Sequence, residues 1–226
     1  MNRLHRYLII VAGGKGLRMS ASKPKQFLLL AGRPVIFHTI NRFTDYDPDI
    51  ELIIVLPGDN IEMWKELCHQ YEFKLNHNII TGGEERYHSV KNGLSLIKHE
   101  SIIAVHDAVR PLVNNATIDR CFKKAENEGN AVPYIMPSES VREISGNNNR
   151  ALQRDRIALI QTPQVFRSDI LLDAYTRAYH PGFTDDASVI EAAGHKINLV
   201  EGNIENIKIT TSEDLISAEA LLGNLT

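Results

Sequence analysis

At 226 residues the chain is long for one average domain but within the range of a single α/β domain carrying an excursion. Hydrophobic residues at 43% and charged residues at 23% exclude a disordered or fibrous chain. The net charge of −3 gives no global support for binding nucleic acid or an anionic membrane, so any anion site must be local.

Residues 1–6 form a short basic lead into Tyr7-Leu8-Ile9-Ile10-Val11, an apolar run too short for a signal-peptide core, and no stretch approaches the ~20 apolar residues that span a bilayer. A cytoplasmic protein is expected, with Cys68 and Cys121 as reduced core thiols. Apolar runs of strand length at residues 7–11, 51–56, 78–80 and 101–106 read as parallel strands buried on both faces. Between them the period is helical. Ile61, Trp64, Leu67, Cys68 and Tyr71 share one face, which makes Trp64 a packing residue, and Ile118, Cys121, Phe122 and Ala125 share another. Pro34 is placed for a first helical turn, Asn114 or Asn115 for the cap of the helix ending before Gly129, and Ser89 for the opening of a third helix. Strand–helix alternation predicts a doubly wound, mostly parallel α/β sheet whose ligand crevice lies beyond the carboxyl ends of its strands.

The rhythm breaks at residues 138–156, where short alternating flanks around Gly146-Asn147-Asn148-Asn149 read as a protruding β-hairpin. It resumes with residues 159–161, helices over 168–179 and after Thr184, strands at 196–200 and 207–210, and a helix capped by Ser212. Neither a repeat nor a linker divides the chain, so residues 1–226 are expected to form a single domain, with 138–156 as an arm.

Four segments carry chemistry. Ala12-Gly13-Gly14-Lys15-Gly16-Leu17-Arg18 follows the first strand, where glycines let backbone N–H groups approach an anion and Lys15 and Arg18 add charge. Met19 stands where a dinucleotide fingerprint needs its third glycine, and no Gly-Lys-Ser/Thr follows as in a Walker A loop. Lys23-Pro24-Lys25-Gln26 comes next, with Pro24 stiffening the backbone so that Lys25 leaves a fixed, extended segment. The third, Thr81-Gly82-Gly83-Glu84-Glu85-Arg86, is either a tight strand-to-helix turn or a surface that reads a base or ribose. The last, His106-Asp107-Ala108-Val109-Arg110-Pro111, ends the fourth strand; Asp107 is placed for a metal or ligand hydroxyl and Arg110 for a phosphate, or the two form an ion pair beside a core histidine. All four are expected at one edge of one sheet.

Taken in order and spacing, these segments resemble the methylerythritol phosphate cytidylyltransferase family, and so do Gln161-Thr162-Pro163-Gln164, Phe183-Thr184-Asp185-Asp186-Ala187-Ser188, Val200-Glu201-Gly202-Asn203 and Asn206-Ile207-Lys208-Ile209-Thr210. The resemblance implies a nucleotide-diphospho-sugar transferase-like fold, with CTP, a polyol phosphate and Mg²⁺ as ligands. It implies that Ala12, Gly13, Gly14, Lys15 and Gly16 wrap the triphosphate, that Gly82, Gly83, Glu84 and Ser89 read the cytosine, and that Arg18, Lys25 and Lys208 stabilise charge at the reacting phosphorus. Asp107, Arg110 and Thr162 would meet the sugar phosphate, with Asp107 also on the metal. A homodimer is implied whose hairpins exchange, so that Ser140 and Arg154 serve the neighbour's site; Arg156 lies close enough to leave open which arginine binds phosphate. Glu84 and Ser140 stand where the family often has Asp and Thr.

Such a reaction needs cations more than a base, because a phosphate monoester is already mostly a dianion at neutral pH. Other readings are a cytidylyltransferase acting on ribitol 5-phosphate, a non-catalytic CTP-binding module and, more remotely, a dehydrogenase.

Overall fold

The computed structural model describes residues 4–13 and 23–223. The amino-terminal half runs β1 (His5–Val11), a hairpin of β2 (Leu29–Leu30) and β3 (Arg33–Pro34), α1 (Val35–Tyr46), β4 (Glu51–Leu56), α2 (Ile61–Gln70), β5 (His77–Thr81), α3 (Arg86–Leu94) and β6 (Ser101–Asp107). The remainder runs α4 (Asn115–Glu128), β7 (Asn130–Ile135), β8 (Arg142–Ser145), β9 (Asn148–Ala151), β10 (Leu159–Ile160), β11 (Gln164–Arg167), α5 (Ser168–Ala174), α6 (Asp186–Ala192), β12 (Leu199–Glu201) and α7 (Ser212–Gly223).

One sheet organises the molecule, in the order β10-β7-β11-β6-β1-β4-β5, with β12 pairing β7. β1, β4, β5 and β6 are mutually parallel, β11 enters antiparallel between β6 and β7, and β12 lies parallel to β7. Successive strands run outward from β1 through β4 to β5, and the chain then returns to place β6 on the other side of β1. That reversal is the switch point, and its register sets Val11 beside Asp107.

Strand alternation sorts the core onto two faces. Leu8, Ile10, Ile54 and Ala104 meet α1, α2 and α4 through Phe37, Ile40, Trp64 and Phe122, whereas Ile9, Val11, Val55 and Val105 meet α3, α5 and α6 through Val90, Leu171 and Ile190. Trp64 is wholly buried, as its place on the helical stripe predicts. A smaller cluster of Leu30, Val35, Val109, Leu112, Ile209 and Ala218 packs under α7. Asn114 caps α4, its side chain accepting from Thr117 N–H at 2.8 Å, and Gly129 ends the helix at φ 90°. β8 and β9 form the expected hairpin, with every residue of both strands exposed.

Five details depart from the sequence reading. β11, unforeseen because only Val165 and Phe166 break a polar stretch, is paired on both sides and completes the sheet. Residues 207–210 lie outside any strand ladder, tied instead by Ile209 N–H to the Val109 carbonyl at 2.9 Å. The hairpin turn is only Gly146-Asn147, with Asn148 and Asn149 already paired, because Gly146 takes the left-handed φ of 58° that a two-residue loop needs. α5 stops at Ala174, beyond which the Tyr87 hydroxyl binds the Arg177 carbonyl. Ser89 and Ser212 do not cap: α3 begins at Arg86, and Thr211 opens α7 by accepting from Asp214 N–H at 3.2 Å while Asp214 Oδ2 accepts from Thr210 and Thr211 N–H at 2.8 and 2.9 Å.

Burial opposes ionisation of Asp214, but its bonds to Thr210 and Thr211 outweigh that and hold its carboxyl below the usual range. A depressed carboxyl adds stability above its ordinary value and loses it as pH falls through the depressed one. Asp214→Ala should therefore lower stability by about 1 kcal/mol at neutral pH, with the gap to the wild type narrowing below about pH 4; urea unfolding across pH measures it, and a gap that widens in acid would contradict the cap.

Candidate active site

Ala12-Gly13 after β1, the Gly82-Gly83 turn after β5 and the end of β6 meet at the switch point. Ala12 N–H continues the sheet by donating to the Val55 carbonyl at 3.0 Å, and Ala108 N–H reaches the Val11 carbonyl at 3.1 Å. On the neighbouring edge Gly82 N–H binds the Leu56 carbonyl at 2.8 Å. The buried Ser89 hydroxyl fastens the Gly82-Gly83 turn to α3: it accepts from Gly83 N–H and donates to the Glu85 carbonyl, each at 3.2 Å. A Cβ on Gly82 would stand 2.8 Å from that oxygen and one on Gly13 3.0 Å, so a side chain at 82 would displace the hydroxyl and one at 13 would crowd it.

Between the turns lies a cavity of about 350 Å³, lined by Val11, Ala12, Gly13, Lys25, Gln26, Glu84, Glu85, Arg86, Asp107, Ala108, Val109 and Lys208. A second, of about 290 Å³, adjoins it through Arg86, Asp107 and Lys208, and adds Arg110, Gln161, Thr162, Gln164, Thr184 and Asp185. Only Pro24 is extended; Lys25 itself opens a short 3₁₀ turn rather than leaving the extended segment expected from sequence, and the Gln26 side chain fastens that turn by donating to the Ala12 carbonyl at 3.2 Å.

Asp107 is the shared floor. Its Oδ2 lies 3.1 Å from both Arg110 Nε and Lys208 Nζ, and its Oδ1 lies 3.9 Å from Arg86 Nε. Burial would raise this carboxyl, but Lys208, Arg86 and Arg110 overcome it and hold the group well below the usual carboxylate range. The Asp107–Arg110 pairing weighed from sequence is therefore present, within a larger cluster of cations.

His106, at the end of β6, is wholly buried against Phe43, and burial pushes its imidazole down to about 4. Its Nε2 lies 3.1 Å from the Arg110 carbonyl, which can only accept, so Nε2 carries the proton and Nδ1 accepts. The Thr162 hydroxyl then donates to Nδ1 at 2.9 Å while accepting from Asp107 N–H at 3.1 Å. Thr162 thus lines the second cavity with its proton already committed inside the protein.

Arg86, quoted in the third segment but given no role from sequence, is held by a fork of bonds at 2.9 and 2.6 Å to Asp186, the fully buried first residue of α6. The Tyr175 hydroxyl donates to Asp186 Oδ1 at 2.7 Å. Burial would lower the Arg86 guanidinium, but Asp186 outweighs it and keeps the group charged. Only the spatial pairing of residues 100 positions apart makes Arg86 a site residue, which no local pattern reveals.

Of the residues expected at the site, the structure brings together Ala12, Gly13, Lys25, Glu84, Asp107, Arg110, Thr162 and Lys208, with Gly82, Gly83 and Ser89 just behind them. Gly14, Lys15, Gly16 and Arg18 lie outside the described residues. Arg154 and Ser140 are exposed beside the hairpin and line neither cavity; Arg154 donates to the Ser138 carbonyl at 2.7 Å. Among the described residues no group of three or more His, Cys, Asp or Glu is placed to hold a metal ion.

A cation-rich, glycine-edged hollow at the switch point of a mostly parallel sheet defines a protein built to bind a phosphorylated nucleotide. The family model described as 2-C-methyl-D-erythritol 4-phosphate cytidylyltransferase matches residues 7–224, and the chain belongs to that family. A relative of that name from Azobacteroides pseudotrichonymphae is 50% identical over 220 residues, covering 96% of this chain and 98% of the relative. Another from Porphyromonas gingivalis is 49% identical over 219 residues, covering 96% and 97%. Among solved structures, the 4-diphosphocytidyl-2C-methyl-D-erythritol synthase of Anaerococcus prevotii superposes with a TM-score of 0.81 at 26% identity, covering 97% of this chain and 99% of that one.

Thr162→Val should strand Asp107 N–H and His106 Nδ1 without partners and cost about 1–3 kcal/mol. Urea unfolding reads the loss; an unchanged midpoint would mean that the hydroxyl does not join them.

Proposed function

We propose that this chain transfers a cytidylyl group from CTP to 2-C-methyl-D-erythritol 4-phosphate, forming 4-diphosphocytidyl-2-C-methyl-D-erythritol and pyrophosphate for isoprenoid precursor synthesis. The observation that carries this reading is a pair of adjoining cavities that meet at Asp107, where Arg86, Arg110 and Lys208 converge, with Lys25 lining the larger one; each cavity would take one substrate. Family membership supports the same assignment.

An oxygen of the acceptor phosphate attacks the CTP α-phosphorus in line, a new P–O bond forms, and the bond to the β-phosphate's bridging oxygen breaks with its electron pair leaving on pyrophosphate. The acceptor is already mostly a dianion at neutral pH, so no residue need take a proton. The obstacle is bringing two anions together, and fixed cations in a partly dry crevice lower that barrier most.

We assign Lys25 and Lys208 to the reacting phosphorus and Arg110 and Asp107 to the acceptor side, with Lys208, which lines both cavities, between the substrates. Ala12 and Gly13 would begin the triphosphate cradle, Gly14, Lys15 and Gly16 would continue it, Arg18 would join Lys25 and Lys208 at the reacting phosphorus, and Gly82, Gly83, Glu84 and Ser89 would frame the base. Mg²⁺, when bound, supplies charge neutralisation across the phosphates. Asp107, where the two cavities meet, is the carboxylate that would hold it beside the phosphates.

The reading takes residues 1–226 as one domain and residues 138–156 as a dimerisation arm. An isolated two-stranded hairpin is marginal in water, and Ile144 on this one is 78% exposed, which supports exchange with a second copy. Ser140 and Arg154 or Arg156 would then enter the partner's second cavity. Among the described residues no helix is long and apolar enough to cross a membrane, and burial raises both free thiols, Cys68 to about 11 and Cys121 to about 12, in keeping with unreactive cysteines and a cytoplasmic enzyme.

Pyrophosphate release with CTP and Mg²⁺ should be far faster with 2-C-methyl-D-erythritol 4-phosphate than with ribitol 5-phosphate; the reverse preference would reassign the acceptor, and no release with either would leave a binding module. Lys25→Ala should lower kcat by about 100-fold or more with an unchanged unfolding midpoint. Near-normal turnover would remove Lys25 from the chemistry.

A further inference from the structure

Lys208 must be aimed by something other than its own flexible stem, because its segment lies in no strand or helix. Two residues earlier stands Asn206, with no solvent exposure and no place in the lining of either cavity. We propose that Asn206 is the positioning residue that aims Lys208 and Arg110 at the crevice, a role in catalysis that rests on the cytidylyl-transfer reading.

Asn206 joins the three stretches that carry site side chains. Its Nδ2 donates to the Thr162 carbonyl at 2.8 Å and to Gln161 Oε1 at 3.3 Å, while its own carbonyl accepts from Arg110 Nη1 at 2.8 Å. Arg110 reaches Asp107 with its Nε at 3.1 Å, and Asp107 takes Lys208 at 3.1 Å, so a closed circuit runs from Asn206 through both cations and back along two residues of backbone. Gln161 is held in this circuit by its Nε2, which donates to the Asn203 carbonyl at 2.9 Å and to the Asn206 carbonyl at 3.4 Å, and it lies so close to Gly202 that a Cβ there would stand 2.3 Å from its Oε1.

The side chain is gripped by its donating half alone, since Asn206 Oδ1 has no hydrogen-bond partner among the described residues. Asparagine is therefore needed for its amide N–H groups. Asn206→Asp keeps the shape but sets an oxygen against the Thr162 carbonyl and Gln161 Oε1, and Asn206→Ala removes the grip altogether.

The test compares both variants with Lys208→Ala and with the Asn206→Ala/Lys208→Ala double variant, by pyrophosphate release from CTP and the acceptor phosphate. Each Asn206 variant should lose on the order of 100-fold in kcat while KM for CTP moves less than about 3-fold. In the Lys208→Ala background the further loss should shrink to about 10-fold or less, because the aimed group is already gone. Losses that multiply in full, or that appear wholly in KM, overturn the proposal. A crystal structure of whichever Asn206 variant folds decides it without turnover: Lys208 Nζ should sit beyond about 4 Å from Asp107, and retention of the present pairing, with Arg110 undisturbed, overturns it. If the wild type itself releases no pyrophosphate, the reaction is misassigned, and the crystallographic result still decides the positioning.

Discussion

One carboxylate makes the crevice possible. Three cations that converge from α3, from the turn after β6 and from the segment before α7 would repel one another in a half-buried hollow, and Asp107 lets them meet. Asp107 alone cannot neutralise the three cations that face it, so part of their charge is left for a polyanion, although Glu84, Glu85 and Asp185 also line the two cavities. The sheet fixes where this happens: Asp107 ends β6 beside Val11 at the switch point, so Ala12 and Gly13, which follow β1, line the same cavity.

The cations are also braced from behind. Arg86 is gripped by Asp186 at the start of α6, the Arg110 backbone carbonyl is engaged by His106, and the Arg110 guanidinium reaches the Asn206 carbonyl. Neutral His106, Thr162 and the Asp107 amide form a chain of bonds whose donors and acceptors are all assigned, which fixes the carboxylate's backbone without adding charge. Polar groups fully paired in this manner rigidify a site, so little reorganisation remains when the phosphates arrive.

Much of this was legible in the sequence, for reasons that differ from element to element. Three of the four apolar runs announced parallel strands buried on both faces, whereas the fourth, β5, is a partly exposed edge strand, and the periodic stripe of α2 placed Trp64 in the core. Glycine turns after β1 and β5 and the aspartate ending β6 could be read as one edge because parallel strands put their carboxyl ends together. β11 escaped notice because two apolar residues between polar ones carry too little pattern, although neighbours on both sides stabilise it. Arg86–Asp186 and the Asn206 circuit escaped for another reason: they are pairings across the fold, and a single chain of letters records neither distance nor direction.

The central claim is that the Asp107-centred cations and the glycine turns form one triphosphate site. A crystal structure of the protein with CTP and Mg²⁺ tests it most directly. The account predicts the triphosphate in the larger cavity, with Lys25 and Lys208 on its phosphates and the cytosine against the Gly82-Gly83 turn. A nucleotide bound elsewhere on the surface, or one whose phosphates touch neither lysine, would contradict it.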